Sequence, residues 1–359
     1  MITKPTLLID EKKCRKNIDQ MFSKSQEHGL DFRPHFKTHQ SLEIGRWFKE
    51  LGVTKITVSS LEMAEYFSAE WNDITVAFPV NVLEIERINK LAKIIQLNLI
   101  ADNETSIKLL SDILSAKVNM FIEVNIGQNR TGVEPTDHTE INKIISTIEN
   151  SSFIIFKGFL AHAGHSYKSR CKDDILKVHE DSLQLMNALK EIYISNYPNS
   201  IISLGDTPCF SVANSFEGLD EMRPGNFVFY DLTQHQIGSN SISQISIALA
   251  CPIVSTNKER SEVTFYGGGV HLSKDRLEDD EGIIFGRIAQ KKGDGWGDIV
   301  PNTYVNSLSQ EHGTISVPSA DLSQYHIGDF LLVLPVHSCM TSNLMKSYLT
   351  LDGKDISRF

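Results

Sequence analysis

Long apolar runs are missing from this 359-residue sequence. A membrane-spanning helix needs about 18 or more consecutive apolar residues, and no stretch approaches that length. The first residues, MITKPTLLID, also lack the charged segment and following apolar segment of a secretory signal. The sequence therefore predicts no membrane partner, and we expect the protein to stay in the cytoplasm.

Cysteine is scarce, and its positions exclude two kinds of architecture. The five cysteines are odd in number and scattered, and no two of them form a CxxC pair. This spacing predicts neither a disulfide framework nor a four-cysteine zinc site. Any cysteine with a chemical role is therefore expected to act singly.

Excess positive charge is absent as well. The formal net charge is −10 at pH 7, and the largest basic cluster is Lys12-Lys13 followed by Arg15-Lys16. A surface that binds nucleic acid usually carries a larger basic patch, so we expect no nucleic-acid partner. Low-complexity segments and long Pro/Gly linkers are also missing, which favours a compact body.

Strand-like runs alternate with segments of helical period between residues 30 and 231. The runs that predict strands are 31–36, 55–60, 73–80, 98–102, 120–126, 154–162, 201–204 and 227–230. The segments between them carry apolar residues at helical spacing, so each helix can pack on a sheet. An open doubly wound sheet gives the same local pattern, and only the count of eight favours a closed barrel. We predict the α/β class, with a (β/α)8 TIM-type barrel over residues 6–240.

The sequence changes character after about residue 240. Val/Ile/Thr-rich runs with glycine turns replace the helical pattern, at 245–254, 262–266, 314–318 and 330–335. These runs predict a C-terminal β domain over residues 241–359.

Lys37 is the first candidate for chemistry, because barrel enzymes carry their reactive groups at the carboxyl ends of the strands. It lies in the segment RPHFKTH, directly after the first predicted strand. A lysine at a strand end is more often a solvated surface residue. A lysine that binds a carbonyl cofactor covalently needs a rigid base and a lowered pKa, and a strand end flanked by His35 and His39 can supply both.

Six motifs occur in an order that resembles one enzyme family. They are RPHFKTH at 33–39, GQNRTG at 127–132, GFLAH at 158–162, GDTP at 205–208, EMRPGN at 221–226 and PVHSC at 335–339. The set resembles the D-serine dehydratase and D-threonine aldolase family, of the alanine-racemase-like barrel class of pyridoxal 5′-phosphate enzymes. This resemblance implies that Lys37 binds the cofactor and acts as a catalytic residue. It also implies a small D-amino acid as substrate and a homodimer.

One glycine-rich turn follows the predicted strand 201–204, and another follows Arg223-Pro224. We expect the two turns at neighbouring strand ends, where their backbone N–H groups can hold a phosphate. The resemblance implies that Gly205, Thr207, Gly225 and Asn226 bind the cofactor phosphate. Asp206 departs from the family pattern, because a carboxylate repels phosphate, so its side chain is expected to point away.

The resemblance also assigns residues to the cofactor ring. It implies that Arg130 lies near the phenolic oxygen and Arg223 near the pyridine nitrogen, with His162 beneath the ring. His162 and Tyr167 are both catalytic and cofactor-binding candidates, and Tyr167 can reach the substrate or the ring. Without the motifs, a surface arginine and a satisfied core histidine are the more common readings.

His337 and Cys339 follow the predicted strand at 330–335. Residues two apart in an extended segment share a face, so the imidazole and the thiolate can converge on one cation. Sulfur and imidazole suit zinc better than magnesium or calcium. Spacing alone favours a core histidine beside a buried cysteine. The resemblance implies instead a divalent metal, zinc or alternatively manganese, and favours a dehydratase, because D-threonine aldolases usually place an aspartate where Cys339 stands.

Two further segments carry histidines without an assigned role. Residues 266–271, YGGGVH, are not a dinucleotide fingerprint, because no βαβ unit follows; their glycines predict close packing, and His271 stays a site candidate. Residues 310–313, QEHG, resemble a family stretch that contains His312, with Gln310 as a departure.

The predicted function is that of a pyridoxal-phosphate- and metal-dependent lyase that converts D-serine to pyruvate and ammonia. Three alternatives stay open. One is aldol cleavage of the D-threonine type, to glycine and an aldehyde. The second is an amino-acid racemase, which needs a second base and no metal. The third is a non-catalytic pyridoxal-phosphate carrier, which has no use for His337 and Cys339.

Overall fold

A computed structural model describes residues 2–359, which divide into two compact units. The barrel unit comprises Asp19–Gly225 with Phe359, and the β unit comprises the residues up to Ile18 with Asn226–Arg358. The strands are β1 (Thr6–Ile9), β2 (Asp31–Phe32), β3 (Lys55–Val58), β4 (Asp73–Pro79), β5 (Gln96–Ala101), β6 (Val118–Val124), β7 (Ile154–His162), β8 (Ile201–Gly205), β9 (Glu221–Met222), β10 (Ile247–Asn257), β11 (Glu262–Tyr266), β12 (Leu277–Asp279), β13 (Gly282–Ile284), β14 (Gly286–Lys292), β15 (Gly295–Leu308), β16 (His312–Ser316), β17 (Phe330–Pro335), β18 (Ser347–Thr350) and β19 (Asp355–Ser357). The helices are α1 (Glu11–Glu27), α2 (Leu42–Lys49), α3 (Leu61–Phe67), α4 (Ile85–Ala92), α5 (Glu104–Ile113), α6 (His138–Glu149), α7 (Lys172–Tyr193), α8 (Thr207–Val212), α9 (Leu232–Gln236), α10 (Gly269–Leu272) and α11 (Ser338–Leu344).

The barrel unit contains a parallel sheet in the order β2-β9-β8-β7-β6-β5-β4-β3. Its ends meet through the extended backbone that follows β2. Thr57 of β3 donates its N–H to the Pro34 carbonyl at 2.9 Å, and its own carbonyl accepts from the Phe36 N–H at 2.8 Å. These bonds close the sheet, which confirms the predicted α/β barrel.

The eighth barrel strand differs from the prediction. It is β9, which pairs in parallel with β2 and β8. The predicted strand at 227–230 is instead a turn, with a 3-10 helix at Asn226–Val228. Phe227 and Phe229 are fully buried there, so their apolar character reflects burial and does not reflect strand pairing.

The predicted domain boundary also differs from the observed units. Strand β1 pairs antiparallel with β10 and parallel with β18, so it belongs to the β unit and not to the barrel. The β unit begins again at Asn226, before the predicted boundary at residue 241. A strand partner about 240 residues away leaves no local mark on the sequence, because local patterns record burial but not pairing.

The β unit is built on a sheet in the order β11-β16-β15-β14-β17-β10-β1-β18-β19, with a separate pair β12-β13. Strand β17 lies between β14 and β10 and leads into α11. Between residues 2 and 359, no helix is both long enough and apolar enough to cross a membrane.

The barrel unit also contains a buried ion-pair network. Arg33, 1% exposed, donates from Nε to Glu221 Oε2 and from Nη1 to Asp73 Oδ1, both at 2.6 Å. Ser203 Oγ donates to Glu221 Oε1 at 2.7 Å and accepts from Arg223 Nε at 2.7 Å. Burial by itself would lower the pKa of Arg33, but the two carboxylates outweigh burial and raise it.

Substituting Arg33→Met is expected to lower the free energy of unfolding of the barrel unit by about 3–5 kcal/mol, because Glu221 would keep a buried charge without its partner. Urea titration monitored by circular dichroism measures the loss. Arg46→Met is the matched control, because Arg46 and its partner Glu70 form an exposed pair that solvent screens. Equal losses in the two variants would show that the buried network carries no special stability.

Candidate active site

Lys37 lies just beyond the backbone segment that closes the barrel, with its side chain exposed. Its N–H lies 3.3 Å from His35 Nδ1, and its carbonyl accepts from Gln40 Nε2 at 2.9 Å. The preceding Phe36 is fully buried, and its ring centroid lies 5.1 Å from those of Phe48, Phe67 and Trp71. The backbone at Lys37 is therefore firmly held while its side chain stays accessible to solvent.

Two imidazoles lie within electrostatic range of Lys37. Burial, and then the positive charge of Lys37, lower the pKa of His162 to about 3. The same two causes hold the pKa of His35 well below its ordinary value. His162 Nδ1 contacts the Gly205 carbonyl, so Nδ1 carries the ring proton and Nε2 keeps its lone pair. Both rings are therefore neutral at pH 7.

Arg223 follows β9 and is 4% exposed. It donates from Nη2 to the Ala161 carbonyl at 2.5 Å, in addition to its bond with Ser203. Burial lowers the pKa of Arg223 to about 10, which still leaves the guanidinium charged at neutral pH. The barrel unit thus holds a fixed cation whose charge also acts on His162.

Arg130 lies on the loop that follows β6. Asn125 Oδ1 accepts from the Gly127 N–H at 3.2 Å and from the Asn129 N–H at 3.0 Å, which folds the loop back on the strand end. Gly132 has φ +103, and a Cβ there would lie 2.7 Å from the Asn125 nitrogen, so only glycine fits. Arg130 and His162 line one small cavity.

The two predicted phosphate turns are neighbours in the structure. Gly225 donates its N–H to Thr207 Oγ1 at 3.3 Å, and the Arg223 N–H donates to the Leu204 carbonyl at 2.8 Å. A Cβ on Gly225 would lie 2.9 Å from the Cβ of His35, so this turn packs closely on the Lys37 segment.

The Asp206 side chain accepts two hydrogen bonds from other residues of the protein. It accepts from Ser166 Oγ at 2.7 Å and from the Cys209 N–H at 2.9 Å, which caps helix α8. Both bonds are made by Oδ2, whereas Oδ1 is buried and has no hydrogen-bond partner.

Two more residues predicted to bind the cofactor are Tyr167 and Asn226. Tyr167 is partly buried in the 3-10 helix Gly164–Lys168 after β7, which is where its motif placed it. Asn226 lies in the β unit, where its Nδ2 donates to Asp231 Oδ2 at 2.7 Å and to Ser338 Oγ at 3.0 Å. The Asn226 side chain thus supports the start of helix α11, and a role toward phosphate would fall to its backbone.

The lowered pKa of His162 predicts a pH effect on stability. Its folded-state pKa of about 3 lies below the ordinary value of 6.5, so the unfolded chain binds more protons in that range. The thermal unfolding midpoint of cofactor-free protein should therefore fall as pH drops from 6.5 toward 3, and less steeply in His162→Asn. The exposed His326 supplies the control variant His326→Asn. If the unfolding midpoint depended on pH with the same slope in wild type, His162→Asn and His326→Asn, the lowered pKa of His162 would be contradicted.

The second predicted site lies at the start of helix α11. The sequence predicted that His337 and Cys339 lie in an extended segment. This prediction is wrong, because the helix begins at Ser338 and His337 is its N-cap. Burial acts to lower the pKa of His337, but interactions with Asp275 and Cys339 outweigh burial and raise the pKa to about 11. Asn226 Nδ2 lies 3.5 Å from Cys339 Sγ.

The imidazole of His337 and the thiol of Cys339 are suitable ligands for one metal ion with open coordination positions. Imidazole nitrogen and cysteine sulfur are zinc ligands, and an N–H group directed at the sulfur supports the thiolate. Within residues 2–359, no group of three or more His, Cys, Asp or Glu side chains is arranged to hold a metal ion. Two protein ligands would therefore leave positions for water or substrate.

The structure also reveals residues that the sequence analysis did not single out. Glu123 on β6 is 5% exposed, burial raises its pKa, and it lines the cavity with Arg130 and His162. Asp275 lies beside His337. Glu123 lies one residue before the end of β6, and barrel enzymes carry their reactive groups at the carboxyl ends of the strands, so its position could have suggested it. No local pattern indicated Asp275.

Comparison with known proteins gives matches over both units. The family model described as "Alanine racemase, N-terminal domain" matches residues 9–232, and the one described as "Putative serine dehydratase domain" matches residues 246–351. D-serine dehydratase from Dictyostelium discoideum is 28% identical over 96% of this chain and 92% of that protein. D-serine dehydratase from Schizosaccharomyces pombe is 27% identical over 98% of this chain and 89% of that protein.

A solved structure gives the same result at the level of the fold. D-threo-3-hydroxyaspartate dehydratase from Delftia sp. HT23 superposes with a TM-score of 0.92 at 24% identity, over 100% of this chain and 98% of that one. A variant of a D-threo-3-hydroxyaspartate dehydratase with a cysteine replaced by alanine, in the metal-free form, superposes with a TM-score of 0.93 at 23% identity, over 100% and 98% of the two chains.

The architecture defines an alanine-racemase-like barrel protein with a C-terminal β unit. The chain belongs to the family described as "Alanine racemase, N-terminal domain", whose model matches more than half of it. Over nearly its whole length it is similar to D-serine dehydratases, as the sequence motifs predicted. Its relatives are named dehydratases and aldolases, which confirms the prediction of a lyase.

Proposed function

We propose that the protein is a pyridoxal-phosphate- and divalent-metal-dependent lyase that converts D-serine to pyruvate and ammonia. The observation that carries the proposal is the surroundings of Lys37: an exposed amine on a firmly held strand end, with neutral His35 and His162 nearby. The names of the Dictyostelium and Schizosaccharomyces relatives support D-serine as the substrate.

Pyridoxal phosphate, when bound, would supply an electron sink for negative charge at the substrate Cα. Lys37 would hold it covalently and, once released by the substrate amine, would remove the Cα proton. Backbone N–H groups of the turns at Gly205, Thr207 and Gly225, with Asn226, would hold the phosphate.

The neighbouring side chains have separate tasks in this proposal. The fixed charge of Arg223 would serve the ring nitrogen, and Arg130 would serve the phenolic oxygen. His162, whose ring is oriented by the Gly205 carbonyl, would support the cofactor ring from one face. Because His162 and His35 are neutral, they add no positive charge that would repel protonated Lys37. Tyr167 would contact substrate or ring from the turn after β7.

A divalent metal, zinc by preference, would supply a Lewis acid that helps the β-hydroxyl leave. His337 and Cys339 would hold it, and their nitrogen and sulfur favour zinc over harder cations, with manganese as the alternative. The metal-free form of the cysteine variant of the D-threo-3-hydroxyaspartate dehydratase supports a metal role in this family. We also propose that the protein is a homodimer and that it is located in the cytoplasm.

The test is product identification with pyridoxal-phosphate-loaded protein, with and without zinc or manganese. D-serine should give pyruvate and ammonia in a metal-dependent reaction. D-threo-3-hydroxyaspartate, the substrate in the name of the Delftia relative, is the competing substrate of the same reaction type. Glycine and an aldehyde from D-threonine would show an aldolase, L-serine from D-serine would show a racemase, and bound cofactor without any product would show a carrier.

A further inference from the structure

Asp275 lies in the β unit, three residues beyond the end of helix α10, with its carboxylate beside the imidazole of His337. The distance from Asp275 Oδ2 to His337 Nδ1 is 3.4 Å. Ser273 Oγ donates to the same oxygen at 3.0 Å, and the Asp275 N–H donates back to Ser273 Oγ at 3.1 Å. The oxygen that faces the imidazole is therefore itself fixed in position.

The backbone that carries Asp275 is tied to the helix that carries Cys339. Thr341 Oγ1 in α11 donates to the Leu272 carbonyl at the end of α10, at 3.0 Å. Ser273 has φ +68, a left-handed conformation that costs a serine energy. That turn presents the buried Ser273 hydroxyl to Asp275. The glycine segment before it is closely packed, as predicted: a Cβ on Gly268 would lie 2.3 Å from the Gln310 carbonyl oxygen.

We propose that Asp275 is a positioning residue that orients His337 for metal binding. By accepting a hydrogen bond from Nδ1–H, its carboxylate would leave the lone pair of Nε2 for the metal and would fix the plane of the ring. The inference rests on the proposed metal site at His337 and Cys339.

Asp275 acts on the histidine and not on the metal. A third ligand would have to converge with His337 and Cys339, but the described residues 2–359 contain no such group of three. The Asp275 carboxylate lies 3.4 Å from His337 Nδ1, and a carboxylate there sets which ring nitrogen keeps the proton. Asn226 lies beside the other proposed ligand, with its Nδ2 at 3.5 Å from Cys339 Sγ.

The test measures zinc affinity and does not depend on turnover. Pyridoxal-phosphate-loaded protein is freed of metal, and zinc is titrated in competition with a chromophoric chelator. Asp275→Ala should bind zinc roughly 10- to 100-fold more weakly than wild type. Asp275→Asn should lose less, because its amide oxygen still accepts from Nδ1, and its matched size preserves the fold. Asp280→Asn removes an exposed charge from the same segment and should leave the affinity unchanged.

A cobalt spectrum separates positioning from ligation. In cobalt-loaded Asp275→Ala, the sulfur-to-cobalt charge-transfer band from Cys339 should keep its position, because the ligand set is the same. Wild-type zinc affinity in Asp275→Ala would overturn the proposal. So would a shifted cobalt spectrum in both Asp275 variants, which would make Asp275 a ligand. If wild-type protein bound no zinc, the metal site itself would fail, and the wild-type titration alone would show that.

Discussion

Replacing Lys37 by alanine is expected to abolish the visible absorbance of the lysine-bound cofactor and to lower D-serine turnover by roughly 10³-fold or more. Two losses combine, because the same amine attaches the cofactor and moves the Cα proton, and a positioned base alone contributes about 10²- to 10⁴-fold. Absorbance spectra of purified protein and steady-state pyruvate formation measure the two effects.

Lys117→Ala is the matched control, because Lys117 is an exposed lysine of the same barrel unit that precedes β6. It should keep both the spectrum and the turnover. The fold of Lys37→Ala should also persist, since the backbone there is held by Phe36 and its aromatic neighbours and the lysine side chain is exposed. A folded Lys37→Ala protein with an unchanged spectrum would remove Lys37 from the cofactor site.

Removing the metal is expected to reduce D-serine dehydration by roughly 10³-fold, because a Lewis acid stabilises the departing hydroxyl by several kcal/mol. The absorbance of the lysine-bound cofactor should stay, since Lys37 belongs to the barrel unit and the proposed metal ligands belong to the β unit. His337→Ala should reproduce the effect of chelation in protein that is supplied with zinc.

Substituting Cys339→Asp tests the same metal site, because it should change which metal the protein prefers. A carboxylate oxygen in place of sulfur should shift the preference from zinc toward manganese, because harder ligands favour harder cations. Cys171→Ala is the control, because it removes an exposed cysteine from the barrel unit. Full dehydratase activity in verified metal-free protein would refute the metal role.

Parts of the candidate site could be predicted because they are local in sequence. Lys37 follows a strand run directly, and the turns at Gly205 and Gly225 follow two neighbouring strands whose ends meet at one edge of the barrel. The contact between Gly225 and Thr207 depends on β9, the short strand before Gly225, whereas the sequence had placed the eighth strand after Gly225. Asp275 could not be predicted, because 61 residues of chain lie between it and His337 and only folding of the β unit brings them together.

The sequence by itself determined the alternation that makes a barrel, the burial of each apolar run, and the motifs that place this chain in its family. The tertiary structure decided what depends on pairing: that β1 joins β10 and not the barrel, and that the eighth barrel strand is Glu221–Met222. It also decided that His337 and Cys339 lie at a helix start and not along a strand. The physical reason is that periodicity in a sequence records which faces are buried, whereas strand partners and side-chain neighbours are fixed only when distant segments pack together.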